Sequence, residues 1–103
     1  MLNNRRRRPT HPGEVLREIV LPETGMTQGE FAQRLGVSRR TVNELLRERR
    51  PVTVDMAHRL ARALKTSPDV WLGLQQDVDV WDTLQRHQHH YEKIKAIRPR
   101  KPA

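Results

Sequence analysis

The sequence predicts an all-α protein with a single domain, and three observations support this prediction. Proline and glycine divide the 103 residues into pieces of helical length. Within these pieces apolar residues recur at spacings of three and four, without the sustained alternation of a half-buried strand. Most pieces are preceded by a residue type that caps helices. We therefore expect a helical domain with a modest core.

The first two helices are predicted in the N-terminal third of the chain. Pro12 suits a first helical turn and Glu14 suits its positive end, while Pro22 to Gly25 end this helix. Its apolar face is Val15, Leu16, Ile19 and Val20. Thr27 and Glu30 have the spacing of a capping box, so a second helix begins there. Its apolar face is Phe31, Ala32 and Leu35.

Three further helices follow. Gly36 tolerates a positive φ where the second helix ends, and Ser38 can cap a third helix. The inner face of that helix is Val42, Leu45 and Leu46. Thr53 precedes a fourth helix, whose apolar residues are Val54, Ala57, Leu60, Ala61 and Leu64. Ser67 and Pro68 begin a fifth helix. We expect a basic flexible arm over 1–9, a domain over 10–85 and a polar basic tail over 86–103.

The positive charge is concentrated at the two ends of the chain. The formal net charge is +8, from 20 Lys and Arg against 12 Asp and Glu. Seven of these cations lie in the tails: Arg5 to Arg8, Arg98, Arg100 and Lys101. Such tails are either solvated and disordered, or they add salt-dependent affinity for the phosphates of a polyanion. The charge alone leaves both interpretations open.

Several classes of protein are disfavoured by composition. No run approaches the roughly 18 apolar residues of a membrane span, and no apolar signal segment follows Met1, so a cytoplasmic protein is expected. The chain has no cysteine for a disulfide, a thiolate nucleophile or a zinc ligand. No nucleophile motif marks a catalytic triad. We expect neither an enzyme nor a bound cofactor.

Three histidines near the C-terminus form the single cluster of metal-ligand residue types. His87 and His90 are three apart and could share a helix face, yet no acidic residue or cysteine at suitable spacing completes a tetrahedral set. With His89 they extend a polar helix end. No metal site is predicted.

The strongest functional signal lies between Gln28 and Leu46. Two short helices that cross at a tight turn need a small residue where their backbones approach, a glycine at the turn, and apolar residues that lock the crossing. Counted from Gln28 as one, these fall at five, nine, ten, fifteen and eighteen: Ala32, Gly36, Val37, Val42 and Leu45. The pattern resembles the helix-turn-helix of the Cro/phage-repressor-like (XRE) family, over about residues 12–75.

The resemblance implies a five-helix lambda-repressor-like DNA-binding domain with an extended C-terminal helix. The N-terminal end of the third helix would enter the major groove of double-stranded DNA. Arginine can pair with guanine, asparagine with adenine, and glutamate with cytosine. Base reading then falls on Ser38, Arg39, Arg40 and Glu44, with Asn43 on the same outer face. Contacts to the phosphate backbone fall on Thr27, Gln28 and Arg47.

Two alternatives to these contacts stay open at this point. Glu44 could instead pair with Arg40 at the (i, i+4) spacing, which contributes only a few tenths of a kcal/mol. The arginines could also form a solvated helix face balanced by Glu44 and Glu48. This set of arginines is Arg39, Arg40, Arg47, Arg49 and Arg50.

Two flanking motifs narrow the resemblance. The run from His11 to Glu14 and the run from Ser67 to Gln75 are similar to the HigA-type antitoxin branch of the family. That branch implies a homodimer that represses its own operon and neutralises a co-encoded RelE-like mRNA endonuclease toxin. An orphan repressor without a toxin is the alternative.

Two hypotheses from other classes accompany this one. In the first, the protein mainly clamps a toxin and binds DNA only secondarily. In the second, it binds RNA, but its four aromatic residues form no pattern of exposed stacking platforms.

The fifth helix carries an apolar stripe that something must cover. Trp71 and Leu74 suit the core. Val78, Trp81 and Leu84 run past the compact unit and are the predicted dimer interface. Two copies related by a dyad would place their third helices about 34 Å apart, as a palindromic operator requires.

Overall fold

The computed structural model describes residues 7–100, and this part of the chain contains helices and loops without a strand. Helix α1 comprises Pro12–Val15, a π-helical stretch Leu16–Val20 and Leu21–Thr24. The other helices are α2 (Gln28–Leu35), α3 (Arg39–Leu46), α4 (Val54–Leu64) and α5 (Pro68–Glu92). The predicted all-α fold with an extended C-terminal helix is confirmed. Within the same residues, no helix has the length and apolarity needed to cross a membrane.

Helices α2 to α5 begin at the caps that the sequence predicts. The Thr27 hydroxyl accepts the Glu30 N–H at 3.1 Å, and the Glu30 carboxylate accepts the Thr27 N–H at 2.9 Å, which completes the capping box of α2. Ser38, Thr53 and Ser67 cap α3, α4 and α5 with their side-chain oxygens. Backbone groups left unpaired at a helix start are satisfied locally, which is why nearby sequence is enough to locate these starts.

Helix α1 departs from regular α-helical geometry in its middle. The Leu21 N–H donates to the Leu16 carbonyl five residues earlier, the hydrogen-bond pattern of a π-helix. The wider turn changes which of the residues within it and after it face the core. Ile19, predicted on the apolar face, is therefore 51% exposed, while Leu21 packs against the core. Pro22, which has no N–H to donate, is accommodated in the segment after the π-helical turn.

The core collects one apolar face from each of the five helices. Its buried members are Leu16, Phe31, Ala32, Leu35, Val42, Leu45, Leu46, Val52, Met56, Ala57, Leu60 and Trp71. The Trp71 indole N–H donates to the Thr66 hydroxyl at 2.8 Å, so the buried ring leaves no unsatisfied polar atom. Val54 is an exception to the predicted face of α4. It is the first residue of the helix and is exposed.

Val78, which the sequence predicts in the dimer interface, is buried within the single chain. Its side chain is 1% exposed in the single chain, so no surface of it remains for a partner to cover. Trp81 and Leu84 are only partly buried. The helix continues past Leu84 to Glu92, although the backbone of His87 departs from helical geometry.

The segment before α1 is packed against the domain. The Nδ1 atom of His11 accepts the Gly13 N–H at 2.9 Å. Burial lowers the pKa of His11, so this imidazole is neutral at neutral pH. A Cβ atom on Gly13 would collide with the Leu45 carbonyl oxygen. Gly13 is therefore the residue that lets α1 approach the backbone of α3. Arg5 and Arg6 of the predicted basic arm, and Lys101 of the predicted tail, lie outside the described residues.

We predict that Gly13→Ala lowers the free energy of unfolding by about 1–3 kcal/mol, because α1 and α3 must move apart to admit the methyl group. Urea denaturation followed by circular dichroism measures this change. Gly29→Ala is the matched control, since its Cβ would meet only the Thr27 hydroxyl at 3.9 Å. Equal unfolding free energies for parent and Gly13→Ala would contradict the close approach.

Candidate nucleic-acid interface

Helix α3 has one buried face and one open face. Val42, Leu45 and Leu46 turn inward and are at most 3% exposed. Arg39 and Arg40 in the first turn, and Arg47 just after the last turn, are exposed. Because residues three and four apart share a face of a helix, the burial of one face determines which side chains point outward.

The first turn of α3 presents two differently placed arginines. The Ser38 hydroxyl accepts the Thr41 N–H at 3.1 Å and lies 2.9 Å from the Thr41 hydroxyl, so the start of the helix is held rigidly. Within residues 7–100 the Arg39 side chain makes no hydrogen bond or ion pair. The Arg40 side chain is 86% exposed and reaches the Glu44 carboxylate only at 3.5 Å. Arg39 thus has all its donors available to a ligand.

A hydrogen bond joins the start of α2 to the middle of α3. The Asn43 amide donates to the Gln28 side-chain oxygen at 3.0 Å. Thr27, next to Gln28, uses its hydroxyl to cap α2 and remains exposed. The structure therefore brings Gln28 and Asn43 into contact, with the exposed Thr27 next to Gln28. It also engages one amide N–H of Asn43, which leaves the Asn43 side-chain oxygen and its second amide N–H to bind a ligand.

Glu44 pairs with two arginines in the structure. Arg50 donates from Nε and Nη2 to one carboxylate oxygen at 3.2 and 2.7 Å, and Arg40 approaches the other. The hydrogen bond from Arg50, reinforced by the charges of Arg50 and Arg40, lowers the pKa of Glu44. The (i, i+4) alternative for Glu44 is thus formed. To accept a hydrogen bond from a DNA base, the Glu44 carboxylate would have to give up a hydrogen bond from one of these arginines.

Glu48 does not balance the arginines of α3. Its carboxylate instead contacts Arg8 at 3.1 Å and Arg17 at 3.3 Å. Glu44 is then the one acidic side chain beside five arginines in and directly after α3 in the part of the chain that the structure describes. The open face of α3 is therefore more basic than the numbers of arginines and glutamates in this segment suggest, which favours binding to an anionic partner.

The backbone conformation and the contacts of the loop after α3 were not predicted from the sequence. Glu48 has a φ of 60°, a left-handed conformation that costs a non-glycine residue roughly 1–2 kcal/mol. Arg17 contacts Glu48 and also donates to the Leu46 carbonyl at 2.6 Å, so it holds the end of α3. Arg8 joins Glu48 to Asp82 of α5. These partners are 29 to 74 residues apart in the chain, so no local pattern indicates them.

We predict that Arg50→Gln raises the pKa of Glu44 toward its ordinary value of 4.5, because the strongest hydrogen bond to the carboxylate is lost. NMR titration of the side-chain carboxyl measures the change. Arg47→Gln, which removes the same charge nearby, should have little effect. If the Glu44 pKa stayed low in Arg50→Gln, the described pairing would be incorrect.

Comparison with known proteins agrees with the helix-turn-helix geometry described above. The sequence profile described as "Helix-turn-helix" matches residues 16–71, from the middle of α1 into the start of α5. Antitoxin HigA-1 of Vibrio cholerae serotype O1 is 38% identical over 94 residues, which are 91% of this chain and 86% of that protein.

Two solved structures share both sequence and fold with the chain. Pseudomonas aeruginosa antitoxin HigA, solved with the higBA promoter, is 36% identical with a TM-score of 0.81, and the match covers 85% of this chain and 97% of that one. Antitoxin GraA in complex with its operator is 40% identical with a TM-score of 0.82, covering 90% and 95% of the two chains. Since the family profile spans more than half of the sequence and these relatives span nearly all of it, the chain belongs to the helix-turn-helix family, in its HigA-type antitoxin branch of XRE-like proteins.

Proposed function

We propose that this protein is a sequence-specific DNA-binding transcriptional regulator of the HigA antitoxin type. The observation that carries the proposal is the open face of α3, where exposed arginines surround a single carboxylate. Two relatives of the same fold were solved with promoter or operator DNA, which supports the same use of this face. The function requires no chemistry beyond reversible binding, so the protein is not an enzyme.

The proposed contacts divide into base reading and phosphate binding. Arg39 pairs with the O6 and N7 atoms of a guanine, because its guanidinium has no competing partner among the described residues. Ser38 and Arg40 lie beside it at the N-terminal end of α3, and Glu44 and Asn43 follow on the same face. Thr27, Gln28 and Arg47 bind phosphates on either side of the groove.

The dimer interface that we propose is the outer face of α5 around Trp81 and Leu84. These side chains are partly buried, and the same helix exposes Val70 and Val80, which are 50% and 41% accessible. A helix turns about 100° per residue, so Val70, Trp81 and Leu84 fall within about 60° of one another, on one flank of α5 next to the face that buries Val78. Covering this apolar side with a second copy creates a dyad and places two α3 helices against a palindromic operator.

The regulatory role that we propose is repression of the protein's own operon, together with neutralisation of a RelE-like mRNA endonuclease toxin. The support is the HigA-type branch, whose relative from Vibrio cholerae is named an antitoxin. An orphan repressor would show the same DNA contacts without a co-purifying nuclease. Either role requires access to chromosomal DNA, so we place the protein in the cytoplasm.

We expect Arg39→Ala to weaken binding to the DNA upstream of the protein's own gene by about 1–3 kcal/mol and to relax the preference at one base pair. Titration against this DNA and a scrambled duplex of equal length, at two salt concentrations, measures both effects. The control is Arg62→Ala, which removes the same charge from the exposed side of α4. Equal binding of Arg39→Ala and parent to both duplexes would refute the proposed reading of bases by α3.

Leu84→Lys should shift the protein from dimer to monomer, because a charge on the outer face of α5 opposes burial against a second copy. Sedimentation equilibrium measures the change in mass. Thr83→Lys adds the same charge to an exposed neighbouring position and should leave the dimer intact. A dimeric Leu84→Lys variant would exclude this face as the interface.

A further inference from the structure

We propose that Arg8, Glu48 and Asp82 form a connector that sets the separation of the two α3 helices in the dimer. The connector would thereby select operators by the distance between their half-sites, without touching a base. This inference rests on the proposed function, since it assumes a dimer formed by α5. It assigns a role to a cluster of charged side chains outside the DNA-binding face.

The inference starts from how the helices pack. Helix α3 packs mainly on α2 and α1, whereas α5 packs mainly on α4 and α1. The helix that would read DNA and the helix that would form the dimer therefore have different main partners. In a dimer, the distance between the two α3 helices depends on how each α3 is held relative to its own α5. Groups that bridge these two elements are the ones that determine this distance.

Arg8 supplies such a bridge with well-defined geometry. Its Nε and Nη2 atoms donate to the two carboxylate oxygens of Asp82 at 2.8 and 2.9 Å. Its Nη1 atom donates to Glu48 at 3.1 Å. A bidentate arginine–carboxylate pair fixes orientation as well as distance, because both groups are planar. The same hydrogen bonds lower the pKa of Asp82, so the pair stays ionised at neutral pH.

Glu48 carries the bridge to the end of α3. Its other carboxylate oxygen accepts from Arg17 at 3.3 Å, and Arg17 also donates to the Leu46 carbonyl at 2.6 Å. The left-handed backbone of Glu48, at a φ of 60°, turns its side chain toward both arginines. The last turn of α3 is thus linked to Asp82 through three side chains.

A second link lies nearer the core and acts closer to the start of α5. The Val52 N–H donates to the side-chain oxygen of Gln75 at 2.9 Å, and this hydrogen bond is buried. A cavity of about 250 Å³ is lined by the three side chains of the connector, by Gln75 of the second link, and by His11 and Val78. Gln75 anchors the loop, but Asp82 lies on the turn of α5 that carries Trp81 and Leu84. The connector is therefore the link next to the proposed interface.

The exposure of the connector indicates a role in positioning rather than in stability. The side chains of Arg8, Glu48 and Asp82 are 42%, 25% and 35% exposed. Ion pairs with this much solvent access contribute little to the free energy of folding. Removing them should leave the domain folded while the angle between α3 and α5 becomes less well defined.

The test compares operators that differ only in half-site spacing. Adding or removing one base pair at the operator centre moves a half-site by about 3.4 Å and rotates it by about 35°. The parent protein should discriminate against both altered operators by about tenfold or more. In Asp82→Asn and in Arg8→Gln this discrimination should fall to about threefold or less. The double variant should behave like either single variant, because both changes break the same link.

Three controls separate the possible outcomes. Glu92→Gln removes a carboxylate from the far end of α5 and should keep the parent's discrimination. Binding to an isolated half-site should be unchanged in Asp82→Asn and Arg8→Gln, which excludes a direct contact of Arg8 with DNA. Thermal unfolding should show that both variants remain folded. If only one remains folded, its discrimination between half-site spacings is the test of the connector.

Two results would overturn different conclusions. If folded Asp82→Asn or Arg8→Gln discriminates between spacings as the parent does, the connector has no positioning role. If the parent itself binds the operator and a scrambled duplex equally, the proposed function fails before the connector is tested. The two failures are therefore distinguishable in one set of titrations.

Discussion

Complete burial of one face of α3 is the constraint on which the rest of the structure depends. Val42 and Leu45 have no exposed surface, and the backbone of Leu45 lies directly against Gly13. A helix held this closely on its inner side can neither roll nor slide without opening the core. The outward directions of Arg39 and Arg40 follow from this packing.

Side chains at the edges of the domain complete the placement of α3. The hydrogen bond between Asn43 and Gln28 holds the middle of the helix to the start of α2. Arg17 holds its last turn through the Leu46 carbonyl. The apolar core thus fixes which face of α3 points outward, and polar contacts at its middle and at its last turn fix where it lies relative to α2 and α1. Precise placement matters because base edges are recognised by hydrogen bonds of strict geometry.

The two acidic residues in and just after α3 pair with different arginines, and only Glu48 pairs with arginines that are distant in sequence. From composition, Glu44 and Glu48 are equivalent acidic residues that balance the arginines around them. In the folded chain Glu44 pairs with Arg50 and Arg40, whereas Glu48 pairs with Arg8 and Arg17. One acidic residue therefore remains on the face of α3 and the other joins separate elements. The difference arises because Glu48 has a left-handed backbone and Glu44 lies within a regular helix.

The sequence by itself determined where the helices begin, the turn at Gly36 and which side chains of α3 point outward. Each of these depends on residues within about one or two helical turns. Only the tertiary structure decided that Ile19 is exposed and that Val78 is buried. Ile19 is exposed because a π-helical turn changes the periodicity of α1. Val78 is buried where α5 meets the N-terminal segment, which is distant from it in sequence. The links of Arg8 to Glu48 and Asp82 depend on the same long-range packing. Local patterns record which face of a helix is apolar, but they do not record which distant segment covers it.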